Sequence, residues 1–299
     1  MLDSALHPQI RTEEVRANGL RFKVLAAGSG DRLALCLHGF PELAYSWRHQ
    51  LPVLAEQGWR AWAPDMRGYG GSDRPQGIDA YAIEKLMDDV AGLIDASGAK
   101  ETMLIAHDWG GVIAWYFALR KIRPLSRLVA MNLPHPAVFD RVLRDGWRQR
   151  LRSWYVLFFQ IPWLPEAVFR MRRASAVTEA FRGMAVDKSR FPEEVLDVYR
   201  RAALEPGALT AMINYYRALV RGGGARRQRS LGFPRIETPT LMVWGEQDSA
   251  LGKELTYGTE AYVPNLTIRY LPNASHWVQQ DAPEEVNAIL REWLAETSR

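Results

Sequence analysis

The 299-residue sequence predicts an α/β fold, a mostly parallel sheet flanked by helices with an inserted helical lid. Three observations predict it. Short, unbroken apolar runs recur along the chain, as strands buried on both faces require. Between most of them apolar residues return every three or four positions, the spacing of an amphipathic helix. That alternation stops after about His135 and resumes after about Phe233.

Taken in order, residues 33–37, 60–64, 102–106 and 127–131 read as strands before the interruption, and 240–244 and 267–271 after it. Ile83, Leu86, Met87, Val90, Leu93 and Ile94 mark one helix; Val112, Trp115, Tyr116 and Leu119 mark another. Right-handed crossovers place the strand C-termini, and with them any site, along one edge of the sheet. Residues 1–135 and 233–299 are therefore assigned to the core and 136–232 to a helical lid. The lid is rich in aromatics, among them Trp147, Trp154, Tyr155, Trp163, Tyr215 and Tyr216. Its stretch 154–165 is apolar but interrupted by Gln160, Pro162 and Pro165, which suits a buried lid segment better than a membrane anchor. Residues 221–227, with three consecutive glycines, read as a mobile return loop.

Composition narrows the function classes. Apolar residues make up 47% and charged residues 24%, ordinary for a soluble globular chain. Eleven Trp, eleven Tyr and ten Phe argue against disorder. The single cysteine, Cys36, excludes a disulfide framework and a cysteine zinc cage, and reads as an inert core residue. No run of 18 apolar residues occurs, so no membrane span is expected. The first residues carry neither a basic nor an apolar signal region, and a cytoplasmic location is expected. The net charge of +4 is unevenly spread: residues 141–232 hold 17 Arg and 1 Lys against 8 Asp/Glu, a net +10 that leaves −6 for the rest. This basic stretch reads as a solvated outer helix face, since no nucleic-acid motif accompanies it.

The chemistry gathers where the strands end. The run 102–106 leads into His107-Asp108-Trp109-Gly110-Gly111 and then a helix. Small–x–acid–x–small is the nucleophile-elbow pattern with Asp at the tip. The turn is tight, so flanking positions must be small, and the helix N-terminus helps keep the carboxylate ionised. On this motif alone, an Asp capping a helix remains an equal reading. Other strand ends carry His38-Gly39-Phe40-Pro41-Glu42, Asp65 through Pro75, Gly245-Glu246-Gln247-Asp248 and Asn273-Ala274-Ser275-His276-Trp277. Together, over about residues 20 to 295, these resemble the α/β-hydrolase superfamily. The order Asp108, Asp248, His276 matches that fold's nucleophile, acid and histidine.

An aspartate nucleophile points away from ester substrates, because attack on a carbonyl would give an anhydride. It can instead displace at a saturated carbon, opening an epoxide or expelling a halide. His276, oriented by Asp248, then activates a water that hydrolyses the resulting ester. The resemblance implies an oxyanion hole at the N–H groups of Phe40 and Trp109, and a cis Phe40–Pro41 bond. Trp154 through Pro162 and Asn214-Tyr215-Tyr216-Arg217 resemble the two lid segments of epoxide hydrolases, each bearing one ring-opening tyrosine. Matching Tyr-x₄-Gln-x-Pro selects Tyr155, and Asn-aromatic-Tyr-Arg selects Tyr216; packing aromatics are the plainer reading of both. His38, Pro41, Trp154, Tyr215 and Trp277 are candidate pocket residues, with His38 and Pro41 also shaping the oxyanion loop. His107 and His135 read as locally hydrogen-bonded, and Asp65 and Arg67 as loop braces. Asn132 stands where some relatives carry the triad acid; an amide cannot serve, which favours Asp248.

A dehalogenase would share Asp108, Trp109 and His276. Haloalkane dehalogenases usually have Asn where Phe40 stands here, and fluoroacetate dehalogenases use an Arg where Trp109 stands and a histidine in the lid. No His lies between His135 and His276, so an indole of Trp147, Trp154 or Trp163 is the remaining halide donor. A lid-gated binding protein is a third reading, but no triad member is missing. The expected partners are a small epoxide and water, with neither metal nor cofactor nor nucleic acid. The glycines at 68, 70 and 71 lack dinucleotide-fingerprint spacing. Oligomeric state is left open.

Overall fold

The computed structural model describes residues 6–297. β1 (Arg11–Ala17) and β2 (Leu20–Ala27) form an antiparallel hairpin at one edge of the sheet. The strand reading above does not contain it. Its outer strand is largely exposed and so lacks the apolar run of the buried strands. The signal that marks it is Asn18-Gly19, both at positive φ, a two-residue hairpin turn.

The other six strands coincide with the six apolar runs: β3 (Arg32–Leu37), β4 (Arg60–Pro64), β5 (Glu101–His107), β6 (Arg127–Met131), β7 (Thr240–Gly245) and β8 (Leu266–Leu271). The sheet order is β1-β2-β4-β3-β5-β6-β7-β8, parallel from β4 onward. Side chains alternate faces along a strand. Leu33, Leu35 and Leu37 enter one apolar cluster while Ala34 and Cys36 enter another; β5, β6 and β7 divide in the same way. Helices α2 (Ile83–Ser97) and α3 (Trp109–Leu119) cover the first face, and α1 (Gln50–Glu56) and α12 (Pro283–Thr297) the second. This doubly covered, mostly parallel sheet puts β3, β5 and β7 side by side with β6 and β8, all ending at one edge.

The chain leaves the sheet at Met131 and rejoins it at Thr240. Between lie α4 (Pro136–Asp145), α5 (Trp147–Arg152), α6 (Trp154–Phe158), α7 (Leu164–Met184), α8 (Glu193–Leu204), α9 (Ala208–Val220) and α10 (Gly224–Ser230). Two expectations are corrected here. The stretch 154–165 is not a buried segment: Trp154, Leu157 and Trp163 are 62%, 72% and 74% exposed. The expected return loop is mostly helix, because Gly223 (φ +70°) turns the chain straight into α10, which Arg227 and Gln228 tie to Glu84. Among the described residues no helix is long and apolar enough to cross a membrane. A short α11 (Val278–Asp281) precedes α12.

Candidate active site

β5 passes into α3 through a single residue. Asp108 holds that turn at φ +46°, ψ −119°, a conformation rare for any residue with a side chain. Close packing imposes the bend. A Cβ on Gly110 would lie 2.2 Å from the Leu37 carbonyl oxygen, and one on Gly39 would lie 2.3 Å from Asp108 Cβ. Only glycine allows these strand ends to approach.

The Asp108 carboxylate meets two loops. Oδ1 accepts a 2.7 Å hydrogen bond from the Phe40 N–H. Oδ2 lies 3.7 Å from His276 Nε2, facing it beyond hydrogen-bond distance. His276 follows β8, and its Nδ1 donates at 2.7 Å to Asp248 Oδ2, since a carboxylate can only accept. Asp248 is itself fixed by the N–H groups of Ala250 and Leu251 on Oδ1 and by Asn132 Nδ2 on Oδ2, each at 2.8 Å. Asn132, at the end of β6, also accepts from Gly245 N–H at 2.8 Å. The amide that could not replace the acid therefore orients it.

A second buried network braces both loops, and sequence reasoning missed its centre. Glu42 accepts from Gly39 N–H (2.8 Å), Gln279 (2.8 Å) and Gln280 (2.9 Å), and lies 2.7 Å from His107 Nδ1. The other His107 nitrogen lies 2.8 Å from the His276 carbonyl oxygen. Its partners are thus 65 and 169 residues away, not local as expected. Asp65 braces the neighbouring loop through the N–H groups of Ala44 (2.9 Å) and Gly71 (3.0 Å).

Burial works against every charge here, and the neighbours reverse it. The Asp108 carboxyl is desolvated, yet His276 and the Phe40 N–H hold it below the ordinary carboxylate range. Asp248 is lowered likewise by His276, Leu251 N–H and Asn132. Burial pulls the His276 imidazolium down, but Asp248 and Asp108 outweigh it and push it up to about 10. The two phenols go the other way. Burial, with the Asp108 charge added, raises Tyr155 and Tyr216 above an ordinary tyrosine.

Asp108, Trp109, Tyr155 and Tyr216 line one cavity of about 260 Å³. The Tyr155 and Tyr216 rings stand edge to face, 6.0 Å apart at 82°. The remaining walls are apolar, including Val112, Leu133, Phe139 and Leu251, and an Asp140–Arg229 ion pair stands at the lining. Two segments of the helical insertion are clamped to bring the tyrosines together. Arg217 donates to Phe159 O (3.0 Å) and Ile161 O (2.9 Å) and forks onto Glu166 at 2.6 and 3.0 Å. Gln160 reaches Tyr216 O at 3.3 Å.

Five candidate pocket residues stand elsewhere. Trp154 is exposed because α6 turns one face inward: Tyr155 packs on Phe159, whereas Trp154 packs on Phe158. Tyr215 is fully buried away from the cavity lining, its hydroxyl donating to Arg67 O at 2.7 Å. Trp277 stacks edge-on against His276 at 4.9 Å and donates to Ala180 O, so it steadies the imidazole. His38 accepts from Met66 N–H at 3.0 Å and donates to Gly39 O at 2.9 Å. Pro41 is buried in the same loop, after a cis bond from Phe40. Trp147, Trp154 and Trp163 are all exposed and none lines the cavity, which removes the extra indole donor a dehalogenase needs. Among the described residues no cluster of His, Cys, Asp and Glu could hold a metal ion.

A family profile described as alpha/beta hydrolase fold matches residues 35–283. The chain is 39% identical over 287 residues to the AB hydrolase superfamily protein YfhM of Bacillus subtilis, covering 95% of this chain and 98% of that protein. It is 37% identical over 301 residues to Epoxide hydrolase 3 of Xenopus tropicalis, covering 99% of this chain and 80% of the relative. The crystal structure of Bacillus megaterium epoxide hydrolase in complex with an inhibitor is similar with a TM-score of 0.87 at 31% identity, covering 95% of this chain and all of that one.

Proposed function

The chain belongs to the alpha/beta hydrolase fold family, and on that premise we propose that it is an epoxide hydrolase working through a covalent ester of Asp108. One observation carries the reading: the elbow aspartate shares a small, mainly apolar cavity with two tyrosines, where its neighbours hold the carboxyl low and burial holds the phenols high. A halide leaves without a proton; an epoxide oxygen does not. The helical segment 136–232 serves as the lid that carries those phenols, and the apolar walls favour an epoxide with a hydrocarbon body.

In the first step an Asp108 oxygen attacks the less hindered epoxide carbon as the C–O bond breaks. Tyr155 and Tyr216 supply a proton to the departing oxygen, leaving a β-hydroxyalkyl ester. Esterification cancels the Asp108 charge. His276 then loses one of the two carboxylates that favour its protonated form, so its proton leaves more readily. Neutral His276, held by Asp248, takes a proton from water as that water attacks Asp108 Cγ. The tetrahedral oxyanion falls to the N–H groups of Phe40 and Trp109, the latter free at the first position of α3. On collapse the departing alkoxide takes that proton back from His276 to complete the vicinal diol, and the Asp108 carboxyl ionises by returning its proton to His276. The proton His276 gave up earlier has restored the tyrosine.

Intact-protein mass spectrometry of His276→Gln after exposure to styrene oxide tests this. The variant should gain the mass of one substrate and release diol slowly, whereas wild type turns over. An unmodified variant under conditions where wild type forms diol would remove the covalent route.

A further inference from the structure

The outer face of the lid is both aromatic and basic. Trp147, Trp154 and Trp163 are 66%, 62% and 74% exposed. Eight of the thirteen large apolar side chains exposed among the described residues fall between Trp147 and Met171, with Leu151 at 63% and Leu157 at 72%. Lone exposed apolar groups need no explanation, but a concentration on consecutive elements does. The same stretch, 147–173, carries six arginines and a single carboxylate, Glu166, which Arg217 already engages at 2.6 Å. Arg148 lies over the Trp147 ring at 5.7 Å. Arg170, Arg172 and Arg173 are exposed and have no carboxylate partner among the described residues. At the end of the stretch α7 breaks, and Arg172 and Arg173 take left-handed φ of +47° and +57°.

We propose that this face docks on an anionic lipid bilayer. Indoles settle at the level of lipid headgroups, and arginines beside them meet the negative surface. The charge distribution orients the approach, because the lid segment 141–232 bears +10 and the rest of the chain −6. A second copy is the poorer occupant, since it would press two arginine-rich faces, each with six arginines against one glutamate over 147–173, together. Docking needs no spanning helix. On α6, Trp154 and Leu157 face outward while Tyr155 and Val156 line the cavity, so the docking face and the cavity wall are two sides of one helix about 10 Å across. Resting on the proposed epoxide chemistry, this puts the cavity beside the phase in which apolar epoxides concentrate.

Flotation of the full-length protein with phosphatidylcholine vesicles, with and without phosphatidylglycerol, tests the docking without any turnover. The protein should float with the anionic vesicles and detach as sodium chloride approaches 1 M, where charges are screened beyond about 3 Å. Trp147→Ser/Trp163→Ser should weaken partitioning at least about tenfold. Arg148→Glu/Arg170→Glu should weaken it at least about fivefold per charge removed. Both variants should keep the wild-type circular dichroism and the wild-type rate on dissolved styrene oxide. Absence of flotation, equal flotation on neutral vesicles, or unaltered binding by both variants overturns the proposal. So does a wild-type dimer in sedimentation velocity that the tryptophan variant loses while neither protein floats. Loss of epoxide turnover with intact flotation would instead strike the catalytic reading alone.

Discussion

A phenol buried beside a carboxylate keeps its proton until a stronger base forms next to it. Tyr155 and Tyr216 are in that position, since burial and the Asp108 charge both disfavour the phenolate. An epoxide oxygen becomes an alkoxide as its ring opens, and either phenol can then give up a proton. This redundancy has a kinetic signature. Tyr155→Phe and Tyr216→Phe should each retain part of the alkylation rate, while the double variant should lose about 10²–10⁴, the usual worth of a general acid. Single-turnover stopped flow following tryptophan fluorescence would separate alkylation from ester hydrolysis. The hydrolysis rate should change little, because the proposed mechanism gives that step to His276 and Asp248. A double variant no slower than one single, with the other single at the wild-type rate, would mean that one phenol alone is the donor.

The tyrosines reach the cavity because two elements far apart in sequence are stapled together. Arg217 on α9 holds the carbonyls that follow α6 and forks onto Glu166 in α7, with both side chains largely buried. Replacing one partner of a buried ion pair strands the other and typically costs about 3–5 kcal/mol. Arg217→Met should therefore lower the melting temperature by several degrees in scanning calorimetry and slow alkylation more than ester hydrolysis. Glu166→Gln/Arg217→Met should recover part of the stability but not the rate, because the carbonyls of Phe159 and Ile161 stay unheld. The elements themselves were unequally legible. Six strands stood out because strands buried on both faces must be apolar throughout. The β1–β2 hairpin did not, because an exposed edge strand needs no such run. In the lid, aromatic content did not reveal which face of a five-residue helix turns inward, and Trp154 was assigned to the pocket in place of the outer surface. The elbow, Asp248 and His276 were readable because each follows a strand. Glu42 and Asn132 were not, since their roles lie in partners that only the fold brings near.

Across the whole molecule, the buried His38, His135 and His276 and the partly buried His49 set opposing slopes of stability against pH. Burial lowers His38, His49 and His135, His49 to about 4 with Arg48 adding to the effect and His135 to about 3 within a cage of Trp115, Phe233 and Tyr262. A histidine whose proton is disfavoured in the folded state stabilises the fold above its unfolded value of 6.5, and that stability drains away as pH falls below it. His276 has the reverse sign. Its proton is favoured in the fold, so its contribution is complete below 6.5 and is lost as pH climbs through about 10. Asp108 and Asp248, both lowered from 3.8, add a further loss only in the acid range beneath that value. The two histidine slopes cross, which places maximal thermal stability near pH 6.5. Melting temperatures across pH 4 to 10 in buffers of equal ionic strength should trace a peak there for wild type. In His276→Gln the acid arm should persist and the decline between about pH 6.5 and 8.5 should flatten, because Cys36 and the buried tyrosines, which burial raises from 9.0 and 10.0, add their own loss only at higher pH. An unchanged alkaline decline in the variant would show that Asp248 and Asp108 do not hold a cationic imidazole between them in the resting enzyme.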